Sequence, residues 1–514
     1  MINHKILLKN LSKTLFFLIL VSFLSSSWSL LGESAQQGAI FPVPLDGYQD
    51  DDITDLKDIL IGRIIAEPFN LVVSITFLLA IIHTFLAGKF RRMAMIIDRK
   101  KVSQIKTLKA AKKLPASHPE HSTLGEVLYF LGEVEIVLSI WVMVLGVLFL
   151  FYKDWYSFLH YLENDVVFTE PLFVMVIMSI AGTRPITYSA EAILTRLAKR
   201  LKFIFKTYSG SFWFVILFIG GLLGSFITEV AAITIAALLI SSIIFSHTSN
   251  TKFKYITLGI LLVNISIGGA LTHFAAPVIL IVADKWNLTM SYMLGNFGAP
   301  ILLSTFTTTL LGYLFFKKEF KKIDHAIKKE KKDSTIEERI PIWIIIVHYM
   351  LILWSVINVH HPILFFGGYL LLLGFMMATK PYQKTLDVRS PLLIGLFLAG
   401  LIIHGGLQAW WIVPVLSHID SNAIFWGSLA LSTVNDNAGV TFLSSLIPNI
   451  PEITKQAVIA GALSAGGLTI LANAPNPTAF SILNKNFDNG INHFWLFLAA
   501  LPPTIIAVLF FLLL

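Results

Sequence analysis

The sequence predicts an all-α polytopic membrane protein of two inverted repeats, each with three helices, a re-entrant hairpin and two further, partly broken helices. Three observations lead there. Of 514 residues, 55% are hydrophobic and only 14% charged, and mean hydropathy is +0.75; an ordinary soluble chain carries roughly 25% charged residues. Apolar runs of 18 or more residues recur along the chain, each long enough for a ~30 Å hydrocarbon core. The net charge of +8 is not spread out: Lys89 to Lys113 holds ten Lys/Arg, Lys317 to Arg339 nine and Arg196 to Lys206 five, together 24 of 39. Basic clusters beside apolar spans follow the positive-inside rule and place those segments in the cytoplasm, which removes the nucleic-acid reading of the net charge. The chain has no cysteine, so disulfides, thiolate catalysis and Cys-ligated metals are excluded.

The elements follow in order. Lys5, Lys9 and Lys13 precede the apolar stretch Leu15 to Leu24 and the small residues Ser25 to Ser27. This is the pattern of a secretory signal over residues 1–35, with an uncleaved first helix as the alternative. Residues 36–68 are then external and acidic, with Asp46, Asp50, Asp51, Asp52, Asp55 and Asp58. The first repeat, 69–316, has apolar spans at 69–88, 127–152 and 171–190, a long run at 211–246, and spans at 255–283 and 290–316. A basic cytoplasmic loop, 317–341, leads to the second repeat, 342–514. Its spans fall at 342–358, 361–379, 390–411, 424–447, 454–484 and 491–514. Glu67-Pro68 and Glu170-Pro171 read as helix starts, with the acid at the favourable end of the dipole.

The run 211–246 is too long for one crossing, and Gly220, Gly221, Gly224 and Ser225 interrupt it. Basic residues flank both ends, so it is expected to enter and leave from the cytoplasm, with its tip near Thr228 and Glu229. The segment 424–447 is interrupted at Asn435, Asp436 and Asn437 and has ends that fit the outer side. The two halves therefore run in opposite orientation, a hallmark of secondary transporters. The sequences agree at the matching places. Thr228-Glu229-Val230-Ala231-Ala232-Ile233-Thr234 aligns with Asn435-Asp436-Asn437-Ala438-Gly439-Val440-Thr441. The block from Gly268-Gly269 to Pro277 aligns with that from Gly466-Gly467 to Pro475.

Chemistry concentrates in those blocks. A charged carboxylate at membrane depth costs about 2.5–3.5 kcal/mol on insertion scales. Asp436 has no Lys or Arg within ten residues, so it either takes up a proton or binds a cation. Asn435, Asn437 and Thr441 add neutral oxygens, the ligands that hard cations such as sodium prefer. Sodium and protons are thus expected to compete at Asp436; the alternative is an Asp that only caps a half-helix. Glu229, beside Thr228, reads as a second cation or proton site or as the partner of Arg184. The Gly268-Gly269…Pro277 and Gly466-Gly467…Pro475 blocks predict discontinuous helices. Their unwound carbonyls, with Asn473, Asn476, Thr272 and His273, are candidates for ion or proton handling; close packing of small residues is the competing account of the glycines. Glu133 and Glu135 lie within an apolar span, and a Glu133–Arg184 ion pair is expected to brace the scaffold.

The Thr228 to Ala232 block, the Asn435 to Ala438 block and the run 466–477, which ends Asn473-Ala474-Pro475-Asn476-Pro477, resemble a sodium/proton antiporter family of bacteria. That family is similar to the wider ion transporter superfamily of D-type sodium/proton antiporters, arsenite pumps and dicarboxylate carriers. The resemblance covers most of residues 60–514. It implies two scaffold regions, two hairpins, an elevator-like motion, often a homodimer, and residence in the bacterial inner membrane. Dicarboxylate carriers tend to have neutral hairpin tips, whereas these tips carry Glu229 and Asp436, with no positive charge expected near either. The leading expectation is exchange of Na+ or Li+ for H+ without a cofactor; the runner-up is sodium-coupled carriage of an organic anion. A membrane enzyme is disfavoured, since the chain has no His-Glu-x-x-His motif and no cysteine, and broken helices argue against a channel.

Overall fold

The computed structural model describes residues 41–50, 52–110, 122–329, 339–417 and 419–514. The leader expected at 1–35 and parts of the two longest basic segments lie outside these residues. Every element among the described residues is helical. Eight helices are long and apolar enough to cross a membrane, or nine if one bent pair is a single span. The chain is a multi-pass membrane protein.

The acidic segment that leads into the first span is anchored rather than loose. Helix α1, Leu56–Ala66, starts at Asp55, whose carboxylate accepts from the backbone N–H of Lys57 at 2.8 Å. Arg63 on α1 is almost buried and makes a two-pronged ion pair with Asp50, at 2.6 and 3.0 Å. It also donates to the Trp410 carbonyl at 2.7 Å and lies over the Tyr48 ring at 4.9 Å. The Arg63 guanidinium holds the Asp50 carboxyl below its ordinary value. The pair's contribution is therefore complete above the usual aspartate pKa of about 3.9 and fades as pH falls through the lower folded value. Arg63→Gln is expected to cost about 2–4 kcal/mol by leaving Asp50 unpaired. Proteolysis of residues 41–67 in right-side-out vesicles should become faster, and wild type should approach that rate only in strong acid.

Helix α2, Phe69–Ala110, is continuous for 42 residues, ~63 Å at 1.5 Å per residue. The helix therefore runs well past the span expected at 69–88. No Gly or Pro interrupts residues 89–110, so the fall in hydropathy there does not end the helix. The span expected at 127–152 is divided into α3, Thr123–Leu131, a 3-10 turn Val134–Ile136, and α4, Val137–Tyr152. Glu133 and Glu135 lie at this break. Glu133 bonds Arg91 at 3.1 Å and Arg389 at 2.8 Å, which corrects the expected Glu133–Arg184 pair. Arg184 instead opens a basic amphipathic helix: α5, Trp155–Asn164, and α6, Thr169–Ala181, meet at a 60° bend, and α7, Arg184–Phe205, follows Gly182 and Thr183. The span expected at 171–190 thus ends at Gly182, where Pro185 begins the next helix.

The first hairpin consists of α8, Tyr208–Ile227, and α9, Glu229–Leu239, extended by the π turn Ile240–Ile244. The chain turns at Thr228, as expected, but Gly220, Gly221 and Gly224 lie inside α8 and do not break it. Gly221 instead allows close contact with α10, Thr251–Gly268: a Cβ on Gly268 would stand 2.7 Å from the Gly221 carbonyl. Each arm of the hairpin is itself long enough to span. Helix α11, Pro277–Ala283, completes the first broken helix after the interruption at 269–276, and α12, Met290–Phe315, closes the half. The basic helix α13, Lys317–Lys329, ties both ends of the hairpin to one side. Its Asp324 accepts from the N–H groups of Tyr208 and Ser209, both at 2.8 Å, and its Glu319 accepts from the Thr248 hydroxyl at 2.6 Å.

The second half runs through α14, Ile342–Ile357, α15, Pro362–Ala378, α16, Arg389–Gly406, and α17, Ala409–Ser417. Its hairpin is α18, Ser421–Val434, and α19, Asn437–Ser444. Its broken helix is α20, Glu452–Ala465, and α21, Asn476–Leu483, and α22, His493–Leu513, ends it. The halves interlock reciprocally: α9 packs on α21, and α11 packs on α19. Each hairpin's second arm thus meets the far piece of the other half's broken helix.

Candidate ion site at the helix breaks

Four chain interruptions converge where these pieces cross. Thr228 begins α9 with φ 72° and ψ 149°, a conformation costly for a β-branched residue. Its hydroxyl faces the Ala231 N–H at 3.5 Å. Glu229 follows, completely buried, and one carboxylate oxygen accepts from Asn473 Nδ2 at 2.9 Å. The other oxygen has no partner. Asn473, from the second broken helix, thus occupies the place expected for Arg184. Gly269 is glycine for a local reason: a Cβ there would collide with the Glu229 carboxylate.

Asp436 does cap α19. One oxygen accepts from the Ala438 N–H at 2.9 Å, while the residue, only 8% exposed, borders a cavity of about 140 Å3. The cap does not by itself exclude a cation, because the cavity reaches the residue that caps α19. Asn435 and Asn473 line the same cavity. Asn437 is buried, its N–H bonds the Ala472 carbonyl at 3.1 Å, and both polar atoms of its side chain lack partners. The side-chain oxygens of Asn473 and Asn476 are also unpartnered. Buried orphan polar atoms are rare, and here five side chains carry them: Glu229, His273, Asn437, Asn473 and Asn476.

Other candidates serve as stitching. The Thr441 hydroxyl donates to the Val278 carbonyl at 2.9 Å and joins α19 to α11. The Thr272 hydroxyl donates to the Ser225 carbonyl at 2.7 Å, and the Ser225 hydroxyl donates to that of Gly268 at 2.6 Å. Asn476 Nδ2 donates to the carbonyls of Gly466 and Thr469 at 2.7 and 2.8 Å, so two unwound carbonyls are already satisfied by protein. A Cβ on Gly466 would press on Ser266 and Asn437, and one on Gly467 would meet the Val263 backbone. Pro277 opens α11 and Pro475 precedes α21. His273 is partly exposed, packs edge-on against Phe274, and lines neither cavity.

The two acids have different surroundings. The cavity at Asp436 is also lined by Thr84, Arg91 and Glu135. Positive charge does stand near this tip, a correction to the sequence reading, and Arg91 is bonded to Glu133. Beside Glu229 the void is only about 10 Å3, walled by Thr228, Phe274 and Pro277, at the lower limit for a single water. Sequence reasoning gave no site role to Thr84, Arg91 or Glu135. Arg91 is one of ten basic residues in its cluster, and nothing local distinguishes it. The carboxylate edge of Asp436, with neutral amide oxygens around it, suits a hard monovalent cation or a proton.

Residues 68–514 match the family described as "Putative Na+/H+ antiporter". No curated protein matches the chain.

Proposed function

The chain belongs to the Na+/H+ antiporter family, and from that premise we propose that it exchanges Na+ or Li+ for H+ by alternating access, with cation and proton competing at Asp436. One observation carries the reading: a cavity of about 140 Å3 ends on Asp436 at a helix break. Arg91, in the cavity wall, lies 22 residues into α2, ~33 Å from its external start. That depth is about one hydrocarbon thickness, which supports a cavity opening toward the cytoplasm. The void at Glu229 is nearly closed, which supports an inward-facing state sealed on the outer side. Glu229 then suits a proton and not a sodium ion, since there is no space beside it for a hydrated cation. The reciprocal packing of α9 with α21 and of α11 with α19 supports two inverted repeats whose tips meet at the site. The membrane that fits is a bacterial inner membrane.

Arg91 favours a second reading, sodium-coupled carriage of an organic anion. Its charge is already shared with Glu133, and the same cavity presents Asp436 and Glu135, so an anion meets more negative than positive charge. The test is dissipation of ΔpH in inverted vesicles holding the purified protein, with Na+, Li+, K+ or a dicarboxylate added. Collapse by Na+ or Li+ is expected. Absence of any cation effect, with sodium-dependent uptake of the dicarboxylate, would overturn antiport.

A further inference from the structure

We propose that Glu135 forms a second cation-binding site in the vestibule before Asp436, loading sodium from the cytoplasmic side. The proposal rests on the antiport reading. Two acids lie on the turn between α3 and α4. Glu133 is fully engaged, each carboxylate oxygen bonded to a different arginine, Arg91 and Arg389. Glu135 forms no ion pair among the described residues. It lines the same cavity as Asp436, Asn435, Asn473 and the hydroxyl-bearing Thr84.

Three features point to a cation as the ligand. The first is charge. Around the cavity two guanidinium groups, Arg91 and Arg389, stand against three carboxylates, Glu133, Glu135 and Asp436, so one negative charge is in excess. The second is space. About 140 Å3 holds several waters at the 10–15 Å3 that each requires, so an ion can enter with part of its hydration shell. The third is position. Glu135 is fixed to the scaffold turn that Glu133 ties to α2 and α16, whereas Asp436 sits on a hairpin tip. A carboxylate on the scaffold attracts sodium to the mouth, and one on the hairpin receives it. Because the first remains behind when the hairpin moves, Glu135 should affect loading from one side only.

Sidedness supplies the test. In inverted vesicles added sodium meets the cytoplasmic vestibule. Glu135→Gln is expected to raise the half-saturating Na+ concentration about tenfold, the effect of one charge removed at ~10 Å with an effective dielectric constant of about 20, with the maximal rate retained. Glu135→Asp should recover most of the affinity. In right-side-out vesicles the half-saturating concentration should be unchanged. An unchanged value in inverted vesicles, or a fall in maximal rate that Glu135→Asp does not repair, would overturn the proposal. If wild type itself shows no sodium response, antiport fails, and calorimetric Na+ binding to purified wild type and Glu135→Gln then decides the vestibular site alone. Weaker binding by the variant supports it, and equal binding or none in wild type rejects it.

Discussion

Asp436→Asn is expected to abolish sodium-dependent proton exchange, by about two orders of magnitude or more, as when a proton-transferring side chain is lost, while the protein still folds. The geometry separates the two effects. Asp436 uses one oxygen to cap α19 through the Ala438 N–H, and asparagine is as good a cap as aspartate. The amide also fills the same volume beside the cavity. What it removes is the charge that attracts a cation and the oxygen that takes a proton. Melting temperature in detergent should therefore stay close to wild type while exchange disappears. Asp436→Ala should lose both, with the missing cap costing ~1 kcal/mol. If Asp436→Asn exchanged Na+ for H+ at the wild-type rate, its role would be reduced to the cap, and the cation would have to be held by the buried amides and Glu229. Asp436→Glu tests the carboxylate's place: one extra methylene keeps the charge but moves it off the Ala438 N–H, so activity should survive in part with altered sodium affinity.

Much of this site was legible because its parts are local. Gly-Gly followed by Pro within an apolar run can hardly be anything but a broken helix, and both breaks, 269–276 and 466–475, occur there. Both tips, Thr228–Glu229 and Asn435–Asp436, place an acid and polar neighbours together inside an apolar run, and the chain turns at both. What was hidden arises from distance along the chain. Arg389 reaches Glu133 across 256 residues and Asn473 reaches Glu229 across 244. One-dimensional patterns hold no information on such pairs, so the nearest conspicuous charge, Arg184, was the natural but wrong partner. Local rules also misjudged continuity. Helix α2 continues through its basic half because helix propensity, not hydropathy, governs whether a chain stays helical. Three glycines within α8 did not break it, because α10 packs against that face and tertiary contact outweighs the weak local preference.

Glu229→Gln and Glu229→Ala should give different failures, and the contrast defines what the first tip does. Glutamine is the closest isostere of a protonated glutamate. It fits beside Gly269, and its side-chain oxygen can still accept from Asn473 Nδ2, now at 2.9 Å from the carboxylate. The fold and the melting temperature should hold, but a group that exchanges a proton becomes one that cannot. Exchange is expected to fall at least tenfold, and any remaining flux should keep only the pH dependence set by competition at Asp436, read as sodium-driven ΔpH collapse over a range of pH. Alanine instead leaves the Asn473 amide without its acceptor, a loss of about 1–3 kcal/mol. It also opens a cavity where the present void is only about 10 Å3, which adds a further penalty of the kind seen when buried side chains are truncated, ~2 kcal/mol or more. That variant should melt earlier and lose yield as well as activity. The informative case is Glu229→Gln. If it transports with the wild-type pH profile, Glu229 is an anchor between the first hairpin and the second broken helix, and Asp436 alone must carry cation and proton in turn. If it folds but its coupling is lost, a proton at the closed tip is needed beside the competition at Asp436, and both hairpins take part in exchange.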